Sequence, residues 1–367
     1  MNLTSTKPAI LWSLMLCLGL LVLPFSRASA QLGIWTSAQE LATLPMAGEA
    51  WQDVFEAGSK SIARPRLSNQ NDRTNVLALA AAIVYARTGE VDYKERVSET
   101  CEKLAAGGNP GGRTLAWARG LGAYALAADL VGYRTPEFEQ WLRAMADEFL
   151  ANDKRTLRGM FQERPNNWGA HAFGSLCAVY RYLGDFEALR QVRDYWVQSL
   201  TGPNPGLDYG EDSTWHAVPT DPRWINPKGM YRDTLNIGGI VPDDMRRGGS
   251  FQTPPTYTSY AWEGLQGLLM AARILERANM PVWAEGDSAL YRAASALQER
   301  FAAKFGERWQ ASGDDSWQLP FYDQAYGTNW VRDQRGLWKN GKSSGWGYVT
   351  LAGEQPPKFR VNVTTID

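Results

Sequence analysis

The feature that most constrains the fold is a helix that ends on a glycine and turns at once into a second helix, written twice at the same spacing. Val84, Tyr85, Gly89, Glu90 and Val97 recur as Val179, Tyr180, Gly184, Asp185 and Val192. A glycine just past a helix takes the left-handed conformation that closes it, so each copy predicts a helical hairpin. A lone hairpin cannot bury its apolar faces, and stacked hairpins form either an open solenoid or a closed ring. Asn75 to Arg87, Arg113 to Leu130, Pro136 to Leu150, Asn167 to Tyr182 and Phe186 to Leu200 all carry apolar residues at helical spacing. Alanine and leucine dominate these stretches and β-branched runs are absent, which argues against strands. Helices resume from about Pro254 to Asn279 and from about Glu285 to Phe305, and the tail beyond Ser312 reads as irregular or partly β. The expectation is an all-α fold, an (α/α) toroid of helical hairpins with long irregular loops lining a cleft. The ring is favoured over the solenoid because the aromatic-rich loops between helices need a shared cleft.

The residue inventory removes several classes of function. Lysine and arginine number 38 against 39 acids, with no basic block, so nucleic acid is not the expected partner. Hydrophobic residues at 44% of 367 positions supply a full core, and residues 31–367 read as one large domain. The histidines are His171 and His216 alone, and the three cysteines form no zinc spacing. No metal and no cofactor is expected.

The first thirty residues read as a signal peptide. Lys7 precedes an apolar run from Ile10 to Phe25, and Ala28-Ser29-Ala30 gives a small-x-small cleavage pattern before Gln31. The run is short for a bilayer span and Pro24 interrupts it. Cleavage removes Lys7 and Arg27 and no acid, leaving 36 basic residues against 39 acidic. A periplasmic or secreted protein is expected, a monomer with no membrane segment once the signal is cut. Cys101 and Cys177 would then remain, and export permits a disulfide between them without requiring one.

Three local features carry chemistry. In Arg164-Pro-Asn-Asn-Trp-Gly-Ala-His171, Asn166 suits an N-cap, which places Asn167 and His171 one turn apart on one face of a helix. The helix N-terminus also favours an anion nearby. Arg246-Arg247-Gly248 is followed by Pro254-Pro255-Thr-Tyr257-Thr-Ser-Tyr260-Ala261. A proline in the first turn would put Tyr257 and Tyr260 at adjoining positions near a helix start, where dipole and arginines favour a phenolate. Between Thr201 and Pro255 lies an irregular span with eight prolines and eight glycines, holding Tyr209, Trp215, His216, Trp224 and Tyr231. Such a span inside a compact domain is usually a lid or a binding wall. His216 is either a second catalytic group or a solvated loop residue. Asp243-Asp244 and Glu211-Asp212 could pair as glycosidase carboxylates, although adjacent acids in such loops are more often solvated.

Asn166-Asn167, Arg247-Gly248 and Tyr257-Thr-Ser-Tyr260-Ala261 together resemble motifs of the alginate-lyase-like polysaccharide lyases, a secreted α/α-toroid group that includes polymannuronate and polyglucuronate lyases. Better-known members place histidine directly after the paired asparagines, where this chain has Trp168 with His171 three residues on, and its arginine-to-tyrosine spacing is longer. The resemblance implies β-elimination on an anionic polysaccharide. Asn167, Arg247 and a histidine, His171 or His216, would neutralise the uronate carboxylate, and Tyr260 would move the C5 proton. Trp168, Trp215, Trp224 and Tyr257 would stack on sugar faces, beside Arg246. The alternatives are an inverting glycoside hydrolase using Asp243 with Glu211, and a glycan-binding protein without turnover.

Overall fold

The computed structural model describes residues 32–108, 111–149, 155–202, 206–208, 210 and 212–333. The signal-peptide reading of residues 1–30, Tyr209, Glu211 and the tail beyond residue 333 lie outside the described residues.

Glycine turns build the hairpins as the repeat predicts. Helix α3 (Thr74–Thr88) ends on Gly89 and passes into α4 (Val91–Gly107), and α8 (Asn167–Leu183) ends on Gly184 and passes into α9 (Phe186–Thr201). A third copy joins α5 (Thr114–Val131) to α6 (Pro136–Asp147) through Gly132. All three glycines are left-handed, with φ of 75°, 70° and 65° respectively. Short helices α1 (Ala38–Ala42), α2 (Glu49–Ser59) and α7 (Leu157–Glu163) fill in between them. Only one two-stranded ladder occurs among the described residues, Tyr231–Arg232 with Leu235–Asn236. The molecule is an all-α toroid of hairpins.

After the irregular span come α10 (Pro242–Met245), α11 (Tyr260–Arg277) and α12 (Glu285–Ser295). The chain continues helically to α13 (Ala302–Phe305). Two sequence expectations change here. The helix expected from Pro254 starts at Tyr260, so neither proline sits in its first turn. The stretch after Ser312 is helical rather than β, with a 3₁₀ turn over Gly313–Gln318, then α14 (Leu319–Tyr326) and α15 (Trp330–Asp333). Its aromatic residues are core: Trp317, Tyr322 and Trp330 are buried.

Inner helices α5, α8 and α11 pack side by side through small residues and run parallel. Ser175 of α8 donates to the Ala118 carbonyl at 2.6 Å and accepts from the Gly122 N–H of α5 at 2.9 Å. On α11, Gly264 lies against Asn167, Gly267 against the Ala170–His171 peptide, and Met270 against Gly174. Close backbone approach of this kind is what glycine permits. It also brings the N-terminal turns of all three helices to the same end of the ring. Helices α4, α6, α9 and α12 return around the outside. Cys101 on α4 and Cys177 on α8 are buried and unpaired.

Candidate active site

The start of α8 is as the sequence predicts, with one correction. Asn166 is the N-cap: its Oδ1 accepts from the Trp168 N–H at 2.9 Å. The Asn167 N–H donates to Asp244 Oδ1 at 3.0 Å, and Asn166 Nδ2 donates to Asp243. The anion at this helix N-terminus is therefore the chain's own. Asp243 and Asp244 are fully buried, not solvated loop acids. Burial, with Asp243 alongside, pushes the Asp244 carboxyl well above the usual carboxylate range, against the Asn167 N–H and the arginines 246 and 247. The Asn167 side chain is buried, and neither polar atom of its amide has a hydrogen-bond partner among the described residues. One turn on, His171 is also buried and its Nε2 has none. An unmatched buried polar group costs about 1–3 kcal/mol. A cluster of them on one helix face is a stability cost that a ligand's oxygens can offset.

Tyr260 opens α11, and its ring is half-buried with the Arg247 guanidinium 4.2 Å from its centroid. Glu263 and Gly264 lie one turn further along the same face, and Gly264 touches both Asn167 and Asp244. Tyr260, half-buried, and Asn167, fully buried, thus lie at one seam between α8 and α11. Tyr257 departs from the expected position: it precedes the helix, with its ring edge-on to Trp309 at 5.2 Å and Arg308 over its face at 5.6 Å.

Two residues of this seam went unread in the sequence. Arg119, on α5, forms an ion pair with Glu263, and His171 Nε2 is 3.9 Å from the same Glu263 oxygen. Arg119 is also within electrostatic reach of Tyr260 and Asp314. Burial first, and then the Arg119 charge, hold His171 well below the usual imidazole range, so the ring is neutral at ordinary pH. A signal for Arg119 did exist: it and Asp129 are the only charged residues in α5. Asp129 is accounted for by the N–H groups of Leu32 and Ile34, at 2.6 and 3.1 Å. Arg119 had no such local explanation.

His216 belongs to a neighbouring group. It is buried and lies among Arg246, Asp212 and Arg232. Arg246 joins this group to the seam by pairing with Asp243, which in turn holds Asn166. Trp215 and Trp224 are fully buried and cannot stack on a sugar in this structure. The Trp215 indole donates to the Gly249 carbonyl at 2.9 Å, and Trp224 packs on Phe161 and against Gly169. Of the expected platforms, Trp168 and Tyr257 keep exposed surface, Trp168 with the Arg164 guanidinium 5.9 Å from its ring. Asp243 is committed to Asn166 and Arg246 and so is poorly placed to activate a water for a hydrolase. Among the described residues, no group of three His, Cys, Asp or Glu could hold a metal ion.

Burial, helped by Arg246, depresses His216 from 6.5 to about 4. The folded state therefore keeps a neutral ring that the unfolded chain would protonate. Stability from this source is intact above about pH 6.5 and is lost as pH falls towards 4, by up to roughly 3 kcal/mol. His216→Gln should flatten the decline of Tm between those pH values, measured against the unsubstituted protein. Equal declines in the two would show that His216 ionises freely in the folded state.

Comparison with known proteins bears on the family and the fold. The family model described as "Alginate lyase" matches residues 117–304. No curated protein matches the chain. Among solved structures, a His-to-Ala variant of alginate lyase A1-III complexed with tetrasaccharide is similar at 13% identity and a TM-score of 0.53. It covers 91% of this chain and 99% of that one. A Tyr-to-Phe variant of the same enzyme, also with tetrasaccharide, is similar at 12% identity and a TM-score of 0.53, covering 90% and 96%. The enzyme comes from Sphingomonas species A1. At these identities the likeness is one of fold. The family match spans 188 of 367 residues and includes Arg119, Asn167, His171, Arg247 and Tyr260. The chain belongs to the alginate lyase family and is a polysaccharide lyase.

Proposed function

We propose that this lyase cleaves a β-1,4-linked polyuronate, polymannuronate or polyglucuronate, by β-elimination. The observation that carries the reading is the seam itself: a phenol under a guanidinium, beside a buried amide and an imidazole Nε2 that have no hydrogen-bond partner among the described residues.

The C5 proton of a uronate is too weakly acidic to leave while the adjacent carboxylate keeps its full charge. Asn167 Nδ2 can donate to that carboxylate and Arg247 can oppose its charge, so that the negative charge developing on it in the transition state is stabilised. Tyr260 takes the C5 proton as the base. The C5–H electrons form the C4–C5 double bond as the C4–O glycosidic bond breaks. The same phenol then returns its proton to the departing oxygen. The products are a new reducing end and an unsaturated uronate, with no water consumed. His171 is the histidine beside Asn167 and, being neutral, can donate or accept a hydrogen bond in the site. Trp168 and Tyr257 offer faces for neighbouring sugars. The two tetrasaccharide-bound neighbours carry substitutions at a histidine and a tyrosine, the residue types that matter here. Export follows from the signal-peptide reading of residues 1–30, which suits a polymeric substrate outside the cytoplasm.

The test is to incubate the protein with polymannuronate and with polyglucuronate while following ultraviolet absorbance and reducing ends. A rise in both signals on one polymer is the expected result. Reducing ends without the absorbance would mean hydrolysis, and neither signal would leave glycan binding alone.

A further inference from the structure

Arg119 stands apart from the groups assigned so far. It reaches the seam from α5, and its side chain is 19% exposed. One end is taken by Glu263, while its Nε is buried and has no hydrogen-bond partner among the described residues. Arg119 also lines a shallow polar hollow, open to solvent and with interior space of only about 10 Å³, together with Asn69, Gln70, Asp72, Asn75 and Tyr124. The charged and titratable groups around it are Glu263 and Tyr260 on α11, His171 on α8, Asp314 on the 3₁₀ turn before α14, and Asp72 at the rim of the hollow.

We propose that Arg119 is a second carboxylate-binding guanidinium of the active site, contacting an acid sugar of the substrate, and that Glu263 is its positioning residue. This rests on the polyuronate reading and adds to it a specific recognition of charge from the α5 side. A guanidinium is a planar fork suited to a carboxylate, and fixing one edge on Glu263 aims the remaining N–H groups. The carboxylate of Glu263 also offsets part of the Arg119 charge, so the pair recognises an acid sugar without holding it too tightly. Glu263 thus works through Arg119 and does not itself touch the sugar.

The experiment measures binding, not turnover, in a Tyr260→Phe background by calorimetry. The probes are the oligouronate that the unsubstituted enzyme cleaves, or oligomannuronate if it cleaves none, and the same oligomer with its carboxyls methyl-esterified. Arg119→Gln should weaken the acid oligomer by about tenfold or more and change the ester by less than about twofold. Glu263→Gln keeps an oxygen to accept from Arg119 but removes the charge, so it should tighten the acid oligomer by roughly fivefold and again leave the ester unchanged. Opposite effects on one ligand, absent for its neutral form, cannot come from general loosening of the fold. If Arg119→Gln does not fold, Glu263→Gln decides the matter. Equal losses for acid and ester, or no effect in either variant, would overturn the proposal while leaving the polyuronate reading intact. A Tyr260→Phe parent that binds neither oligomer would take down both.

Discussion

Tyr260→Phe is expected to reduce formation of unsaturated product by about a thousandfold while leaving the fold and oligouronate binding in place. The size follows from removing a group that both accepts and returns the proton, a role usually worth 10² to 10⁴ in rate. The change should be confined to turnover for structural reasons. The Tyr260 ring is half-buried, and what covers it is the Arg247 guanidinium at 4.2 Å, a contact that phenylalanine retains. Tyr260 holds its place through the backbone, its N–H donating to Thr258 Oγ1 at 3.2 Å. Loss of one hydroxyl should therefore leave Tm and the oligomer Kd nearly unchanged and lower kcat. A variant with most of its activity would remove Tyr260 from the proton transfer and send the search to His171, the nearest alternative base. A variant with lowered Tm and weakened binding would mean that the hydroxyl is structural.

How much of this could be read from the sequence depended on distance along the chain. The hairpins were legible because glycine, helix period and turn all act within a few residues. The same holds for Asn166, Asn167 and His171, whose capping and one-turn spacing are local facts. Arg119 and Glu263 were not legible, because their meaning arises only when α5 is laid against α8 and α11. Asp243 and Asp244 misled for the same reason: two acids in a Pro/Gly-rich span look solvated until folding buries them at the start of α8. The tryptophans misled in the opposite direction. Trp215 and Trp224 sit in an aromatic, irregular span that suggested a sugar platform, yet they fill the core beneath it. Composition can say that a loop is aromatic but not which rings face outwards. Between Ser312 and residue 333 the reading erred on similar grounds, since aromatic content hid short helices whose stability comes from burying Trp317, Tyr322 and Trp330.

Gly267→Ala should be strongly damaging, because it acts on fold and site together. A Cβ at Gly267 would overlap the Ala170 carbonyl and the His171 amide nitrogen. These are backbone atoms near the start of α8 and cannot rotate aside. The α8–α11 spacing would have to open. Overpacking of this kind usually costs about 1–3 kcal/mol, and here the upper end or beyond is expected because no flexible side chain can absorb it. The shift would fall at the peptide that carries His171, and one turn away Gly264 sets Asn167 against Tyr260's helix. Activity should therefore fall further than stability alone requires, with kcat reduced even in the fraction that remains folded. Gly107→Ala is the comparison: that glycine also lies within a helix, but nothing stands within 4 Å of where its Cβ would be. There alanine should be neutral or stabilising by up to about 1 kcal/mol through helix propensity. Measuring Tm and kcat for both variants separates the two effects. If Gly267→Ala matched Gly107→Ala in both, α8 and α11 could separate freely without loss, and the seam between them could not be the element that holds the amide, imidazole and phenol in register.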